Sequence, residues 1–420
     1  MVSRSPFDEL RLSGPAAGAR EAAALRLGRG KQRPCGWGAA SGAPTDRRSW
    51  FDGLTMSGRT SAIMGARGAM ATTTLSDVLD AHTVEGELYE RLPDNRVRCY
   101  ACGHRCLIPE GLRGVCKVRF NQGGKLMVPS GYVAALQADP TEKKPFFHFL
   151  PGSTTLTFGM LGCDFHCSYC QNWLTSQTLR DPEAGITPEF LSARRMVDIA
   201  LSTGAQVIGS SYNEPLITSE WAVEVFRLAR EKGLKTVYVS NGNATREVLE
   251  YLRPWVDGYK VDLKSMSEKN YHRLGGQLSH VLETIRMVVE MGFWVEVVTL
   301  VVPGFNDSDD ELWQAADFLA SVSRDIPWHV TAFHKDYKMT DPDNTPPQTL
   351  LRAATVGKEA GLRYIYAGNL PGRVRDFEST FCPACGELVV ERLAYRIVQY
   401  RLEAGGRCPK CSAIIPGVWS

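Results

Sequence analysis

Eleven of the twelve cysteines in this chain fall into three tight groups, and that spacing limits the fold more than any other feature. The groups are Cys99, Cys102, Cys106 and Cys116; then Cys163, Cys167 and Cys170; then Cys382, Cys385, Cys408 and Cys411, while Cys35 stands alone. A disulfide framework suits short secreted chains that cannot build a core, whereas tight sets in a long chain read as metal sites. At 420 residues, 44% of them hydrophobic, this chain has ample material for a core. Its start shows no compact apolar run between a basic segment and a small-residue cleavage site, which points to a reducing, cytoplasmic compartment. No run of eighteen apolar residues occurs, so a membrane-spanning helix is excluded, and a net charge of +2 gives no ground for a dedicated nucleic-acid binder.

Residues 1–75 read as a disordered extension, because Ala, Gly and Arg make up nearly half of them and no apolar periodicity would bury a face. They hold eleven basic and five acidic side chains, a net of +6. Two origins stay open: an upstream extension of a reading frame that starts at Met56, Met64 or Met70, and a targeting peptide, against which Asp8, Glu9 and Glu21 speak. Three further divisions are expected: a cysteine-rich N-terminal segment over 76–150, a core over 151–372 and a C-terminal metal-binding segment over 373–420.

From Thr154 onward, apolar runs of strand length alternate with amphipathic stretches of helix length. Strands are predicted at Thr154–Met160, Gln206–Tyr212, Thr236–Ser240, Gly258–Leu263, Trp294–Val302, His329–Phe333 and Arg363–Ala367, with helices near 188–203, 219–232, 244–253, 279–291, 308–323 and 347–360. Gly204, Gly233, Gly292 and Gly361 stand where helices should end. Such alternation specifies an α/β fold with parallel strands. Six or seven units are too few for a closed eight-stranded barrel and suit an open, partial (βα)6-type barrel. Ligands of parallel α/β folds gather at the carboxyl ends of strands. There the sequence places the three-cysteine loop, Tyr212-Asn213-Glu214-Pro215, Ser240-Asn241-Gly242, Asp262-Leu263-Lys264 and Phe333-His334.

The loop Cys163-Asp-Phe-His-Cys167-Ser-Tyr-Cys170 is C-x3-C-x2-C with no fourth cysteine nearby. Three thiolates can hold three irons of a [4Fe-4S] cluster and leave the fourth iron open to a substrate. A structural zinc site wants four ligands, and His166, directly beside Cys167, is awkwardly placed to complete one.

This loop, with the aromatic Tyr169 before its last cysteine, resembles the radical S-adenosylmethionine superfamily, and within it the branch of pyruvate formate-lyase-activating enzymes. Over residues 86–420 the chain is similar to the radical S-adenosylmethionine proteins of the AmmeMemoRadiSam system. The resemblance implies an iron–sulfur oxidoreductase in which the open iron is chelated by the methionyl amine and carboxylate of S-adenosylmethionine. An electron from the cluster would then release methionine and a 5′-deoxyadenosyl radical that abstracts hydrogen from a protein or small-molecule substrate. Asn213 and Glu214 stand where relatives carry Gly-Gly-Glu, which implies that Glu214 accepts from the ammonium. Asp262, Lys264 and His334 match further contact positions, Lys264 suiting the carboxylate and Asp262 the ammonium or a ribose hydroxyl. Relatives place an acid before Thr-Asn-Gly where this chain has Val239-Ser240-Asn241-Gly242, so the resemblance implies Ser240 as the ribose contact, with Asn241 beside it among the cofactor-binding residues. Tyr169 would pack against adenine. The plainer alternatives are loop packing for Tyr169, a core histidine at His334 and a strand-end ion pair for Asp262 and Lys264.

Cys382-Pro-Ala-Cys385 and Cys408-Pro-Lys-Cys411 form a four-thiolate signature of a zinc ribbon or rubredoxin-like iron site. The upstream group, C-x2-C-x3-C-x9-C, reads either as a zinc knuckle or as an auxiliary iron–sulfur cluster. Arg105, Arg113, Lys117 and Arg119 surround it, as a solvated basic face would. Three functions compete: a radical enzyme with ferredoxin or flavodoxin as electron donor, a narrower glycyl-radical-enzyme activase, and a zinc-binding module that recruits protein or nucleic acid. For the AmmeMemoRadiSam branch, functional association with Memo-like and AMMECR-like proteins is implied.

Overall fold

The computed structural model describes residues 74–420. The expected disordered stretch, with Cys35 and the candidate starts Met56, Met64 and Met70, lies outside the described residues apart from its last two positions, where Thr74 caps a helix over Leu75–Asp80.

The predicted alternation is present. Seven strands, β1 (Thr154–Gly159), β2 (Val207–Ser210), β3 (Lys235–Ser240), β4 (Gly258–Asp262), β5 (Trp294–Val301), β6 (Trp328–Ala332) and β7 (Ile365–Gly368), lie side by side in chain order and all run parallel. The main connecting helices are α1 (Ala193–Ser202), α2 (Ser219–Glu231), α3 (Arg246–Leu252), α4 (Leu278–Glu290), α5 (Asp309–Val322) and α6 (Pro347–Glu359). Their boundaries follow local chemistry. Ser192, Thr245 and Ser308 accept backbone N–H bonds at helix starts, three acids fill the first turn of α5, and Gly233 takes φ +77° just after α2. β1 and β7 do not pair with each other, so the sheet is an open partial barrel.

Several elements escaped the sequence reading, two of them beside the barrel sheet. Ala135–Pro140 forms an antiparallel strand on the outer edge of β1, with Leu136 opposite Phe158, and covers backbone groups that an edge would expose. Its polar residues Gln137 and Asp139 and its terminal Pro140 hide it from an apolar pattern. Glu268–Leu274 is a two-turn helix after β4, closed by Gly275 at φ +86°. No helix among the described residues is long and apolar enough to cross a membrane.

The lower half of the barrel holds buried charge as well as branched apolar side chains. The Glu296 carboxylate on β5 accepts from the Phe147 and His148 backbone N–H groups, both at 2.9 Å, and lies 2.6 Å from His329 Nε2. His148 in turn joins Pro416 O and the Tyr366 hydroxyl through its two ring nitrogens. The C-terminal segment closes this end: a three-stranded sheet over 380–400 packs Val389 and Val390 against Phe147 and Tyr366, and Arg392 donates to Phe147 O at 2.6 Å.

Burial, against the pull of Glu296 and with help from Arg392 and His329, lowers the His148 pKa to about 4. Unfolded His148 takes up its proton near pH 6.5, so the unfolded state binds more protons between pH 6.5 and 4 and stability falls as pH falls through that window. The loss is expected to reach on the order of 3 kcal/mol by pH 4. Chemical denaturation of the wild type and of His148→Gln at pH 7 and pH 4.5 checks this, since the variant should show a shallower pH slope.

Candidate active site

The upper rim gathers the polar groups expected there around one cavity of about 130 Å³. Each is delivered by a different strand end, so relative positions depend on the sheet rather than on any loop alone. After β1, the chain places Cys163, Cys167, Tyr169 and Cys170 on the wall; after β2, Asn213 and Glu214; after β3, Asn241; at the end of β4, Asp262 and Lys264. Apolar Val239, Val298 and Leu300 complete one side.

The three thiols face this cavity without forming a zinc-sized cage. Among the described residues, ligand atoms of three or more Cys, His, Asp or Glu residues lie mutually within 4.8 Å only at Cys382, Cys385, Cys408 and Cys411. His166 is exposed, its ring lies against Gly275, and it does not line the cavity, so it completes no four-ligand set with the triad. Burial pushes the Cys167 thiol up to about 12, and burial together with Asp164 and Glu214 raises Cys163 well above its ordinary value. Bare thiolates are disfavoured here, and a cationic iron core supplies the charge that lets them ionise. The spaced, three-thiol donor set therefore fits an iron–sulfur cube with one free corner.

Glu214 is the electrostatic centre of the opposite wall. Its side chain is buried and accepts from Leu216 N at 3.1 Å, Ser240 Oγ at 2.8 Å and Asn241 N at 2.6 Å. Burial and the nearby Asp164 carboxylate raise its pKa to about 8, despite those donors. Among the described residues no cationic side chain forms an ion pair with it, a role open to an arriving cation. Asn213 fixes the turn by accepting from Met160 N at 3.1 Å. The preceding Tyr212 sits at φ +70°, a left-handed conformation that costs a non-glycine residue about 1–3 kcal/mol, and its hydroxyl receives a bond from Lys144 Nζ at 3.1 Å.

Asp262 and Lys264 form the anticipated strand-end ion pair at 3.2 Å, and both still line the cavity. Fully buried Lys260 pairs with the other oxygen of Asp262. Burial works to raise the Asp262 pKa, but the ammonium groups of Lys260 and Lys264 outweigh it and hold the carboxyl below its usual range. Tyr169 is buried on the wall, edge-on to Phe305 at 5.7 Å.

Two expected contacts are placed differently. Ser240 is buried and absent from the cavity wall, because its hydroxyl donates to Glu214 and accepts from Gly242 N at 3.0 Å. Its hydroxyl is engaged in holding Glu214. His334 also stands behind the wall, its Nε2 2.9 Å from Gln171 Nε2, and Gln171 is the residue that faces the cavity. The sequence reading missed Asp164, whose two oxygens accept from Asn241 Nδ2 and Asn243 Nδ2 at 2.8 Å each, tying the cysteine loop to the end of β3. An acid directly after the first cysteine was the available signal.

Away from this rim, the C-terminal sulfurs stand 3.6 Å (Cys382 to Cys411) and 3.7 Å (Cys385 to Cys408) apart. Tetrahedral bonds of about 2.3 Å give an edge of about 3.8 Å, so this quartet matches a single closed metal ion.

The family model described as the radical SAM superfamily matches residues 158–319. An uncharacterized protein of Methanocaldococcus jannaschii is 38% identical over 333 residues, covering 78% of this chain and 97% of that one. A pyruvate formate-lyase-activating enzyme of Staphylococcus aureus is 25% identical over 201 residues, covering 44% of this chain and 78% of that one. Among solved structures, a domain of the corresponding enzyme from Bacteroides vulgatus aligns with a TM-score of 0.34 at 20% identity, over 38% of this chain and 98% of that one.

Proposed function

The chain belongs to the radical SAM superfamily, and from that premise we propose that Cys163, Cys167 and Cys170 hold a [4Fe-4S] cluster whose open iron receives S-adenosylmethionine in the upper cavity. One observation carries the reading: three thiols too widely spaced for a zinc ion share one wall system with a buried carboxylate and an ammonium already held by an acid. Bound there, the cluster and S-adenosylmethionine supply one-electron cleavage of a sulfur–carbon bond and a 5′-deoxyadenosyl radical for hydrogen abstraction.

The chain's own residues do the positioning. Glu214 accepts from the ammonium and gives up any proton it carries, while Ser240 and the Asn241 N–H keep its oxygens aimed. Lys264 takes the carboxylate and Asp262 keeps it charged. Tyr169, Val298 and Leu300 offer an apolar face to adenine and exclude water. Asn241 remains the β3 residue that faces the ribose.

The similarity to pyruvate formate-lyase-activating enzymes favours a narrower second reading, in which the hydrogen comes from a glycine of a partner enzyme. The branch resemblance supports instead a place beside Memo-like and AMMECR-like proteins, with ferredoxin or flavodoxin as donor, in the cytoplasm. The closed C-terminal quartet is assigned to structural zinc.

Anaerobically reconstituted protein, reduced in the presence of S-adenosylmethionine, is expected to release 5′-deoxyadenosine. Stoichiometric zinc without sulfide at the central loop would overturn the assignment in favour of a zinc-binding module. Glu214→Ala and Lys264→Ala are each expected to weaken S-adenosylmethionine binding by about 1.5–3 kcal/mol, the worth of a charged hydrogen bond, with cluster iron unchanged. Calorimetric titration of cluster-loaded protein measures this, and unchanged affinity removes the residue from the site.

A further inference from the structure

The upstream cysteines form a second chamber with its own chemistry. Cys99, Cys102, Cys106 and Cys116 surround a small void of about 10 Å³ whose other walls include Ile108 and Ile217. Three of the four are buried and Cys106 is partly exposed. No three of these sulfurs lie mutually within 4.8 Å, in contrast to the C-terminal quartet. A zinc ion would draw all four to about 3.8 Å of one another, whereas a cube of irons and sulfides holds its cysteines further apart.

A second observation points into the same chamber. Arg119 lines it, is 1% exposed, and leaves its Nε–H without a hydrogen-bond partner. Its other nitrogens are committed, to both oxygens of Glu220 and to Ile217 O at 3.3 Å. A buried, unpartnered guanidinium N–H on a residue that lines a thiol chamber and lies beside Cys99 and Cys116 is a donor waiting for an anionic acceptor, and an inorganic sulfide of a thiolate-ligated cluster is one.

The chamber also abuts the central loop. The Cys116 carbonyl lies 2.9 Å from where a Cβ on Gly162 would stand, one residue before Cys163. Gly103, next to Cys102, donates its N–H to Asn243 O at 2.8 Å, and Asn243 Nδ2 donates to Asp164, next to Cys163. Any side chain at Gly103 would strike Asn243 Oδ1 and His280, so the two loops meet by design of a glycine contact.

We propose that Cys99, Cys102, Cys106 and Cys116 bind a second, fully ligated [4Fe-4S] cluster, hydrogen-bonded by Arg119, that relays electrons to the central site. With all four irons bound by cysteine it has no open corner for a substrate, and one-electron transfer is the chemistry left to it. One electron enters from a low-potential donor protein, and the same electron leaves for the central cluster, so the relay ends each cycle oxidised as it began. The metal assignment stands apart from the radical reading; the relay role rests on it.

The test uses the full chain with Cys163, Cys167 and Cys170 all changed to Ala, reconstituted anaerobically. It is expected to keep about four irons and four sulfides and to show a cluster spectrum on reduction. Zinc in place of iron, iron at about two per chain, or loss of all iron from a folded protein would overturn the cubic cluster. In that background Arg119→Lys is expected to lower the midpoint potential of the remaining cluster; an unchanged potential overturns the hydrogen bond. In the otherwise wild-type chain, Cys102→Ser is expected to lose 5′-deoxyadenosine release driven by reduced flavodoxin and to keep release driven by dithionite. Retention with both reductants overturns the relay alone, whereas a wild-type chain inactive with both would instead sink the radical reading.

Discussion

Cys163→Ser, Cys167→Ser and Cys170→Ser, each made singly, are expected to abolish release of 5′-deoxyadenosine. The reason is the donor set. A cube already lacking one protein ligand is held by three thiolates, and a serine hydroxyl ionises far less readily than a thiol, so removal of any one sulfur leaves an iron unanchored. No fourth group stands ready to replace it, since His166 is exposed and turned toward Gly275. Cluster iron is expected to fall by about four per chain, with the iron of the upstream chamber kept. Chromatographic quantification of 5′-deoxyadenosine together with iron and sulfide analysis checks the result. Undiminished cleavage in any of the three would end the assignment of the central loop.

Cys408→Ser should act at the opposite end and in a different currency. Structural zinc contributes apparent binding free energies of about 10–16 kcal/mol to small modules, and here the quartet organises a three-stranded sheet that covers the barrel bottom. Without the metal, Val389, Val390 and Leu402 would lose their packing on Phe147 and Tyr366, and Arg392 would lose the geometry of its bonds to Phe147 O and Thr380. The melting temperature is expected to drop on the order of 10 °C, because each kcal/mol lost moves a domain of this size by a few degrees. At temperatures where the variant stays folded, cleavage of S-adenosylmethionine should persist, since no residue of the quartet lines the upper cavity. Scanning calorimetry and zinc analysis test both halves; a metal-free variant with an unchanged melting temperature would show that the quartet is not structural.

The barrel was legible because its signals are local. Apolar runs separated by capped, amphipathic helices recur from Thr154 to Gly368, and each predicted strand lies within a few residues of its observed place. Ala135–Pro140 was not legible, because an edge strand with one exposed side needs little apolar material and its partner, β1, is what makes it a strand. The same distinction holds at the site. Cys163, Glu214 and Lys264 announce themselves through motifs on single loops. The role of Ser240 does not, since the decision between a ribose contact and a brace for Glu214 depends on how β2 and β3 sit side by side.

Spacing along the chain by itself determined where candidate metal-binding cysteines gather and that the rim of a parallel sheet collects the polar groups, because a loop of eight residues brings its own cysteines together whatever surrounds it. Only the tertiary structure decided which cysteine set is tight enough for one ion and which sets are more widely spread, that Gln171 and not His334 faces the cavity, and that Asp164 is clasped by Asn241 and Asn243. These outcomes depend on distances between atoms many residues apart, which burial of the core sets and sequence spacing does not encode.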